Sequence, residues 1–421
     1  MALAPANHRF GLTFIILVVL IDAIGFGIIL PVMPSLIIGL TGVTLSEASR
    51  LGGWLLFTYA AMQFFFAPVM GNLSDRFGRR PVLLFALLAL GLDYLLMAFA
   101  PTIGWLFLGR LIAGITGSTF SIAYAYVTDT TDVEKRAQAF GLVGAAFGGG
   151  FILGPVIGGL MGEFGDRIPF YAAAVLALIN VVYGYLVLGE SLARENRRPF
   201  ELRRANPLGA LLQMRRFPLV SGLATAYVLY MLGHNALPST WTYFTIEKFS
   251  WSEAQIGLSL GFAGIFMILI QAGLIRWAIP TFGAFRAGVF GMLAVMLGFC
   301  GYALAQSGWQ LYPFLAIASI SGFVGPSFQV ILTNEVPANA QGELQGALSS
   351  ITSLTSIVGP VMMTQLFARF TAESAGFYFP GVSFLAAALL TGICLLIFSS
   401  VVLKHDLTRL GCRQKAPPDR P

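Results

Sequence analysis

Charge is what this sequence has least of. Asp, Glu, Lys and Arg together make up 10% of its 421 residues, against roughly 25% in a soluble domain. That deficit excludes an ordinary water-soluble globular protein. Histidine and cysteine are equally scarce, three of each. The cysteines, Cys300, Cys394 and Cys412, form no CxxC pair, metal-ligand spacing or disulfide framework. No metal site and no bound cofactor is therefore expected. A phosphate-binding P-loop is missing, which removes ATP as the expected energy source. Neither a Ser/His/Asp set nor HExxH occurs, and no polar stretch is long enough to hold a catalytic domain, so an enzyme is not expected.

Apolar sequence fills the space. Hydrophobic residues are 57% of the chain and its mean hydropathy is +0.80. A helix needs about 20 apolar residues to cross the hydrocarbon core. On that rule the chain reads as an all-α membrane protein with twelve transmembrane helices. They lie at about 10–32, 51–70, 81–100, 104–127, 137–161, 169–189, 218–240, 254–275, 286–306, 309–332, 344–368 and 377–402. The first run is too long for a signal-peptide core and no small-residue cleavage site follows it. The longest polar break, 190–217, carries Arg194, Arg197, Arg198, Arg203, Arg204, Arg215 and Arg216. It divides the chain into an N-terminal six-helix half (1–189), a basic linker (190–217), a C-terminal six-helix half (218–403) and a tail (404–421).

The basic residues set the expected orientation. With both termini and the linker in the cytoplasm, only Arg50, Arg167, Lys248 and Arg369 fall outside, and Arg110 lies within a span. The net charge of +6 is then explained by cytoplasmic loops lying near anionic lipid, with no nucleic-acid partner. The expected location is the inner (cytoplasmic) membrane, multi-pass.

The two halves repeat each other. Gly154-Pro155-Val156 recurs as Gly359-Pro360-Val361, Phe77-Gly78 as Phe282-Gly283, and Thr128-Asp129 as Thr333-Asn334, all at an offset of 205. Several matches at one offset, at matching places in the span map, mark a duplicated six-helix unit.

The stretch Gly71-Asn-Leu-Ser-Asp-Arg-Phe-Gly-Arg-Arg-Pro81 packs Asp75, Arg76, Arg79 and Arg80 into one turn between two apolar runs. Its counterpart in the second half, Arg276 to Arg286, keeps Phe282-Gly283 but has Pro280 where Asp75 stands. Anchoring alone would serve both halves alike, so a one-sided cluster fits a latch on the cytoplasmic side. Gly71, Asp75, Arg76, Gly78, Arg79 and Arg80 are its candidate residues.

Three charges lie inside spans: Asp22, Asp93 and Arg110. Each costs on the order of 3 kcal/mol at a helix centre. Asp22 and Asp93 lie about twelve residues into their spans, ~18 Å deep at 1.5 Å per residue. A buried acid there exchanges a proton as its surroundings change. Arg110 keeps its charge and is the natural partner of either acid. These three are the candidate proton-coupling residues, with Asp22 favoured because Gly25, Gly27 and Pro31 let its helix bend. The competing reading is a paired, purely structural set.

Span five carries Gly141, Gly150, Gly154, Pro155, Gly158 and Gly159, a density that permits close backbone contact and bending in a membrane helix. His234 and Asn235 sit beside Pro238 in span seven. A proton relay or substrate contact and a packing histidine both fit His234. Gln63, Gln271 and Gln329 fit a central cavity, and each also fits a helix-to-helix hydrogen bond.

The loop Gly71 to Arg80 resembles the signature loop of the major facilitator transporters, the span-five run resembles that of their proton-coupled exporters, and Leu108-Gly-Arg110-Leu-Ile-Ala-Gly114 resembles their span-four arginine motif. Within that superfamily the chain is similar to the tetracycline efflux proteins. The likeness rests on Leu20-Ile-Asp22-Ala-Ile-Gly25, Ser74 to Leu84, Leu92-Asp-Tyr94, Gly109 to Gly117 and Gln345 to Ser356. It implies two six-helix repeats with substrate between them. It also implies export of a small drug, as a tetracycline–divalent metal chelate, in exchange for a proton; the expected functional unit is a monomer. Asp22, Asp75, Asp93 and Arg110 would then be functional, with Asp75 facing span eleven near Gly342 to Gly346. In the second half the sequence departs: the family's span-eight histidine falls at Met267 and its span-nine acid at Val295. Export of another drug or a native metabolite is the alternative. A non-transporting sensor or scaffold is a further one, against which the intact loop, glycine run and buried acids weigh.

Overall fold

The structure, a computed structural model, describes residues 8–117, 119–200, 218–337 and 340–414. Arg203, Arg204, Arg215 and Arg216 of the linker, and the last residues of the tail, lie outside the described residues. Among the described residues every regular element is helical. Residues rich in Leu, Ala, Phe and Gly, with almost no charge, satisfy their backbone groups within each segment, as lipid demands.

The first half builds α1 (His8–Ile28), α2 (Met33–Thr41), α3 (Leu45–Phe77), α4 (Arg79–Ala98), α5 (Ile103–Thr116), α6 (Thr119–Thr130), α7 (Arg136–Gly162) and α8 (Ile168–Val187). The second half builds α9 (Pro218–His234), α10 (Ala236–Phe249), α11 (Glu253–Leu269), α12 (Ile275–Leu304), α13 (Leu311–Ala318), α14 (Val324–Glu335), α15 (Gln341–Thr371) and α16 (Val382–Gln414).

Ten helical stretches are long and apolar enough to cross a membrane, and α11 is a shorter apolar helix. The difference from twelve has local causes. Span seven is broken between α9 and α10 at Asn235. Pro238 has no N–H to give the carbonyl of His234, four residues back, and the Asn235 side chain donates to the carbonyls of Met231 (2.8 Å) and Thr355 (3.3 Å) instead. Span eight continues from α11 through a wider π-turn, Ile270–Leu274, into α12, which bends at Gly283 and goes on as span nine.

Two more spans are interrupted. Span one ends at Ile28 and turns through Pro31 before α2, so the expected bend is a full break. Span four breaks at Gly117 between α5 and α6, and the freed Gly117 carbonyl accepts from Gln63 Nε2 at 2.7 Å. At the repeat position of Gly117, span ten has a tight 3₁₀ stretch, Ser319–Phe323, that contains Gly322. Pro326, four residues on, offers Gly322 no amide. Gly78 and its repeat partner Gly283 both take positive φ. The duplication read from short motifs is thus carried by the backbone itself.

The chain folds as two compact units. The first comprises Met1–Pro207, Pro238–Ile265 and Pro360–Pro380. Its core joins α1, α4, α6 and α7 through Phe14, Val18, Leu83, Ile122, Tyr126 and Val143. Segments from the chain's second half dock into it over small residues. Gly52 lies beneath the Tyr243 hydroxyl and Gly53 beneath Thr364. Ser46 Oγ donates to the Ala368 carbonyl at 2.6 Å, and Ser35 Oγ to Glu253 at 2.6 Å. The Glu163 carboxylate accepts from the Ala254 amide at 3.3 Å, and its hydrogen bonds to Ser252 and to that amide hold its carboxyl below the usual range. The second unit comprises Leu208–Leu237, Phe266–Gly359 and Gly381–Pro421. In it α12 packs on α13, α14 and α16, and α9 on α16.

Candidate functional site

The first unit contains two polar centres, a charged turn and a buried cavity. The turn joins α3 to α4 at Gly78, whose φ of 106° and ψ of 158° lie where only glycine is comfortable. A Cβ there would also overlap the Glu190 carboxylate. Arg79, only 9% exposed, is the hub. Its guanidinium pairs with Asp75, with Asp129 Oδ2 at 3.0 Å and with Ser74 Oγ at 2.7 Å. Its backbone N–H donates to Glu190 Oε1 at 2.8 Å. A buried guanidinium with five donors in a fixed fork needs this many acceptors.

Arg80 leaves the hub, donating to the Tyr185 carbonyl at 2.6 Å with its guanidinium 5.5 Å from that ring's centre. Arg76 lies over Phe77. Gly71 has open space where a Cβ would go, so close packing does not explain glycine there. Beyond the turn, the Arg198 amide donates to the Asp75 carbonyl at 3.2 Å, and Arg197 lies 3.8 Å from Glu190. Two of the linker's arginines are thereby tied to the charged turn.

Asp129 and Glu190 are partners that sequence reasoning did not assign. Asp129 carried a signal, as half of the repeated Thr128-Asp129 pair. Glu190 carried only its place as the first residue of the linker.

The cavity, about 290 Å³, is lined by residues of α1, α3, α4, α5, α6 and α7. Asp22, Gln63 and Arg110 all line it. Asp93 is behind the wall: its Oδ2 accepts from Arg110 Nη2 in a buried ion pair, and its other oxygen faces Gly109. The same Arg110 nitrogen approaches Met97 Sδ at 3.2 Å, and the guanidinium sits 5.7 Å from the centre of the Tyr59 ring. Of the two buried acids, Arg110 therefore chooses Asp93. Asp22 Oδ1 is buried with no partner among the described residues. Phe26 and Tyr59 (6.0 Å between centroids) and Phe120 and Phe147 (4.5 Å) form aromatic walls. Gln63 also donates to the Tyr59 hydroxyl at 3.2 Å. Sequence reasoning missed Tyr59, since single aromatics in a chain with 13% aromatic residues carry no signal.

The span-five glycines divide by role. Gly150, Gly154 and Gly158 lie against α1 so closely that a Cβ would run into the backbone at Leu20, Gly27 and Ile28. Gly159 lies against Glu253 and Gly257, and Pro155 packs beside Gly27. Gly141 has nothing within 4 Å of the position a Cβ would take. The run holds α1, and with it Asp22, tightly on α7.

The remaining candidates belong to the second unit. His234 stacks on Tyr230 at 5.7 Å. Asn235 holds the span-seven break, and Gly359 leaves room for it. Gln271 sits exposed in the π-turn and Gln329 is half-buried in α14. Val295, where the resemblance expects an acid, is 2% exposed in the helix core. Among the described residues no cluster of His, Cys, Asp and Glu is arranged to hold a metal ion.

The "Major Facilitator Superfamily" family matches residues 15–360. The chain is 41% identical over 377 residues to the class C tetracycline resistance protein of Escherichia coli, covering 90% of this chain and 93% of that one. It is 35% identical to the class H tetracycline resistance protein of Pasteurella multocida, covering 91% and 94%. Among solved structures it resembles the human organic anion transporter MFSD10, with a TM-score of 0.69, 24% identity and coverage of 94% and 100%. It also resembles the nucleoside transporter NupG, with a TM-score of 0.75, 14% identity and coverage of 93% and 98%. At those identities the two structures speak for the fold alone. The broken spans, the repeated glycine turns, the charged turn and the matched length agree: the chain belongs to the Major Facilitator Superfamily.

Proposed function

We propose that this protein expels a flat, amphipathic drug of the tetracycline type across the cytoplasmic membrane in exchange for protons. The tetracycline resistance proteins it is similar to supply the substrate class. The observation that carries the proton reading is Asp22: a membrane-embedded carboxyl on a cavity wall, with one oxygen lacking a protein partner. Such a group has access to a ligand and to a proton, and holding either one disfavours the other. Asp93 and Arg110 would act as a switch. With Asp93 ionised the guanidinium is held; with Asp93 protonated it is released toward Asp22 and the cavity. The substrate enters as a neutral molecule or as its divalent-metal chelate, with no resident cofactor.

Transport is by alternating access of a monomer, and the turn around Arg79 is the cytoplasmic latch. Its charges come from three separate places in the chain, so a shift among α3, α6 and the end of α8 breaks several ion pairs together. His234, Gln271 and Gln329 are proposed to meet the substrate from the second half. Both termini face the cytoplasm in this reading.

A second reading is favoured by Met267 and Val295, which leave the second half without the family's histidine and acid. In that reading another uncharged, aromatic drug is the substrate. Growth of a drug-sensitive host expressing the wild type or Asp22→Asn, across a tetracycline series, separates the two. Protection by the wild type and none by the variant is expected. Absence of protection against every tetracycline overturns the substrate, and equal protection by both overturns the role of Asp22.

A further inference from the structure

Three side chains lining the cavity keep a buried polar atom without a partner among the described residues: Asp22 Oδ1, Arg110 Nε and the Tyr94 hydroxyl. Arg110 is already engaged by Asp93 and Met97. Gln63 is spent on Gly117 and Tyr59. Tyr94 has no other polar group, is 1% exposed, and has no part in the proton switch. An idle hydroxyl in such a place is costly, since a buried donor left unmade loses its hydration for nothing.

The backbone makes room for this hydroxyl. On α4, Tyr94 follows Asp93 and so points about 100° away from it, toward α1. There it meets Gly25, where a Cβ would stand 3.2 Å from both the Tyr94 oxygen and a ring carbon. Gly25 is three residues after Asp22, so both lie on one face of α1. Phenol and carboxyl thus both line a cavity that is otherwise lined in good part by aromatic rings.

Building on the efflux reading above, we propose that Tyr94 is a specificity-determining residue: its O–H donates to a carbonyl or hydroxyl oxygen of a flat aromatic substrate while Asp22 engages a neighbouring polar group. The aromatic walls hold the ring system, and Tyr94 and Asp22 fix its orientation. Apolar amphiphiles without such an oxygen would gain nothing from Tyr94.

The test is saturable, proton-driven uptake of tetracycline with Mg²⁺ into inverted membrane vesicles, comparing wild type with Tyr94→Phe, which removes one oxygen and keeps the ring. The expected result is an apparent KM raised about tenfold, the worth of one good hydrogen bond, with maximal rate within about twofold and equal protein in the membrane. Uptake by the wild type with an unchanged KM in Tyr94→Phe overturns the proposal and leaves the efflux reading standing. Failure of the wild type to take up tetracycline overturns the efflux reading and this proposal with it. Should Tyr94→Phe fail to insert, Gly25→Ala replaces it. That variant keeps the phenol but crowds its hydroxyl, so a rise of about threefold in KM supports the proposal and none overturns it.

Discussion

Gly78 and Gly283 stand at the same place in the two repeats and take nearly the same backbone conformation, φ 106° and ψ 158° against φ 80° and ψ 155°. Their surroundings differ. Gly78 lies against the Glu190 carboxylate, whereas the space beside Gly283 is open. Gly78→Ala therefore meets both backbone strain and a side-chain clash, and Gly283→Ala meets strain alone. Strain at such a position costs on the order of 1–3 kcal/mol. We expect Gly78→Ala to abolish efflux and Gly283→Ala to leave a measurable fraction of it. Drug resistance and thermal unfolding in detergent check both, and equal loss in the two variants would refute the difference.

Arg79 neutralises Asp75 and Asp129 and gives its backbone amide to Glu190. Removing it leaves two partly exposed carboxylates facing one another, and solvent screening keeps the cost below the about 3–5 kcal/mol of breaking a fully buried pair. Arg79→Ala is expected to lose efflux and to lower the melting temperature clearly. Asp129→Asn keeps the shape and the Ser191 contact and is expected to lose less, about tenfold in efflux rate. A stable, active Arg79→Ala protein would contradict the hub.

Arg110 pairs with Asp93 and lies against the face of Tyr59. Lysine keeps the charge but has no planar group to lie on the ring. Arg110→Lys is expected to cut proton-driven uptake at least about a hundredfold, beyond the loss of a single cation–π contact, because the guanidinium's geometry toward Asp93 is lost too. Asp93→Asn is expected to stop uphill transport while leaving downhill exchange of substrate. Vesicle uptake with and without a proton gradient distinguishes these, and gradient-driven uptake by Asp93→Asn at the wild-type rate would sink the switch.

Glu163 accepts the Ala254 amide from an exposed position at the end of α7. Hydrogen bonding lowers its carboxyl pKa from the usual 4.5. For a lowered carboxyl the stabilising contribution is fully present above that value and is lost as pH falls through the lower, folded value. Protection of the Ala254 amide, measured against its intrinsic exchange rate, should therefore be greatest at neutral pH and fall as the pH drops below about 4.5. Glu163→Gln should remove that pH dependence. The effect is small, because the carboxylate is exposed to solvent.

Much of the fold was legible because lipid imposes strong rules on sequence. Long apolar runs can only be helices there, and twelve of them at repeating offsets identify two six-helix units. What composition did not reveal was where the spans break. Proline and glycine are common in these helices, and the breaks at Asn235 and Gly117 also depend on distant groups. At the first the Asn235 side chain donates to the Thr355 carbonyl, and at the second Gln63 donates to the Gly117 carbonyl that the break leaves free. Segments 238–265 and 360–380 joining the first unit was likewise invisible in sequence. It arises from close approach at Gly52, Gly53 and Gly159, which needs the facing surfaces as well as the glycines.

By itself the sequence determined the class of protein, the number of apolar spans, the duplication, and the short set of charges that lipid would not tolerate without a purpose. Hydrophobicity and charge act locally, so a linear reading captures them. The tertiary structure decided the pairings. It gave Arg110 to Asp93 rather than to Asp22, gathered Asp75, Asp129 and Glu190 around Arg79, and turned Tyr94 onto Gly25 beside an acid with a free oxygen. Apart from Asp75, four residues before Arg79, these partners are far apart along the chain, and the partner of a buried charge is then set by packing distance, which no spacing along the chain encodes.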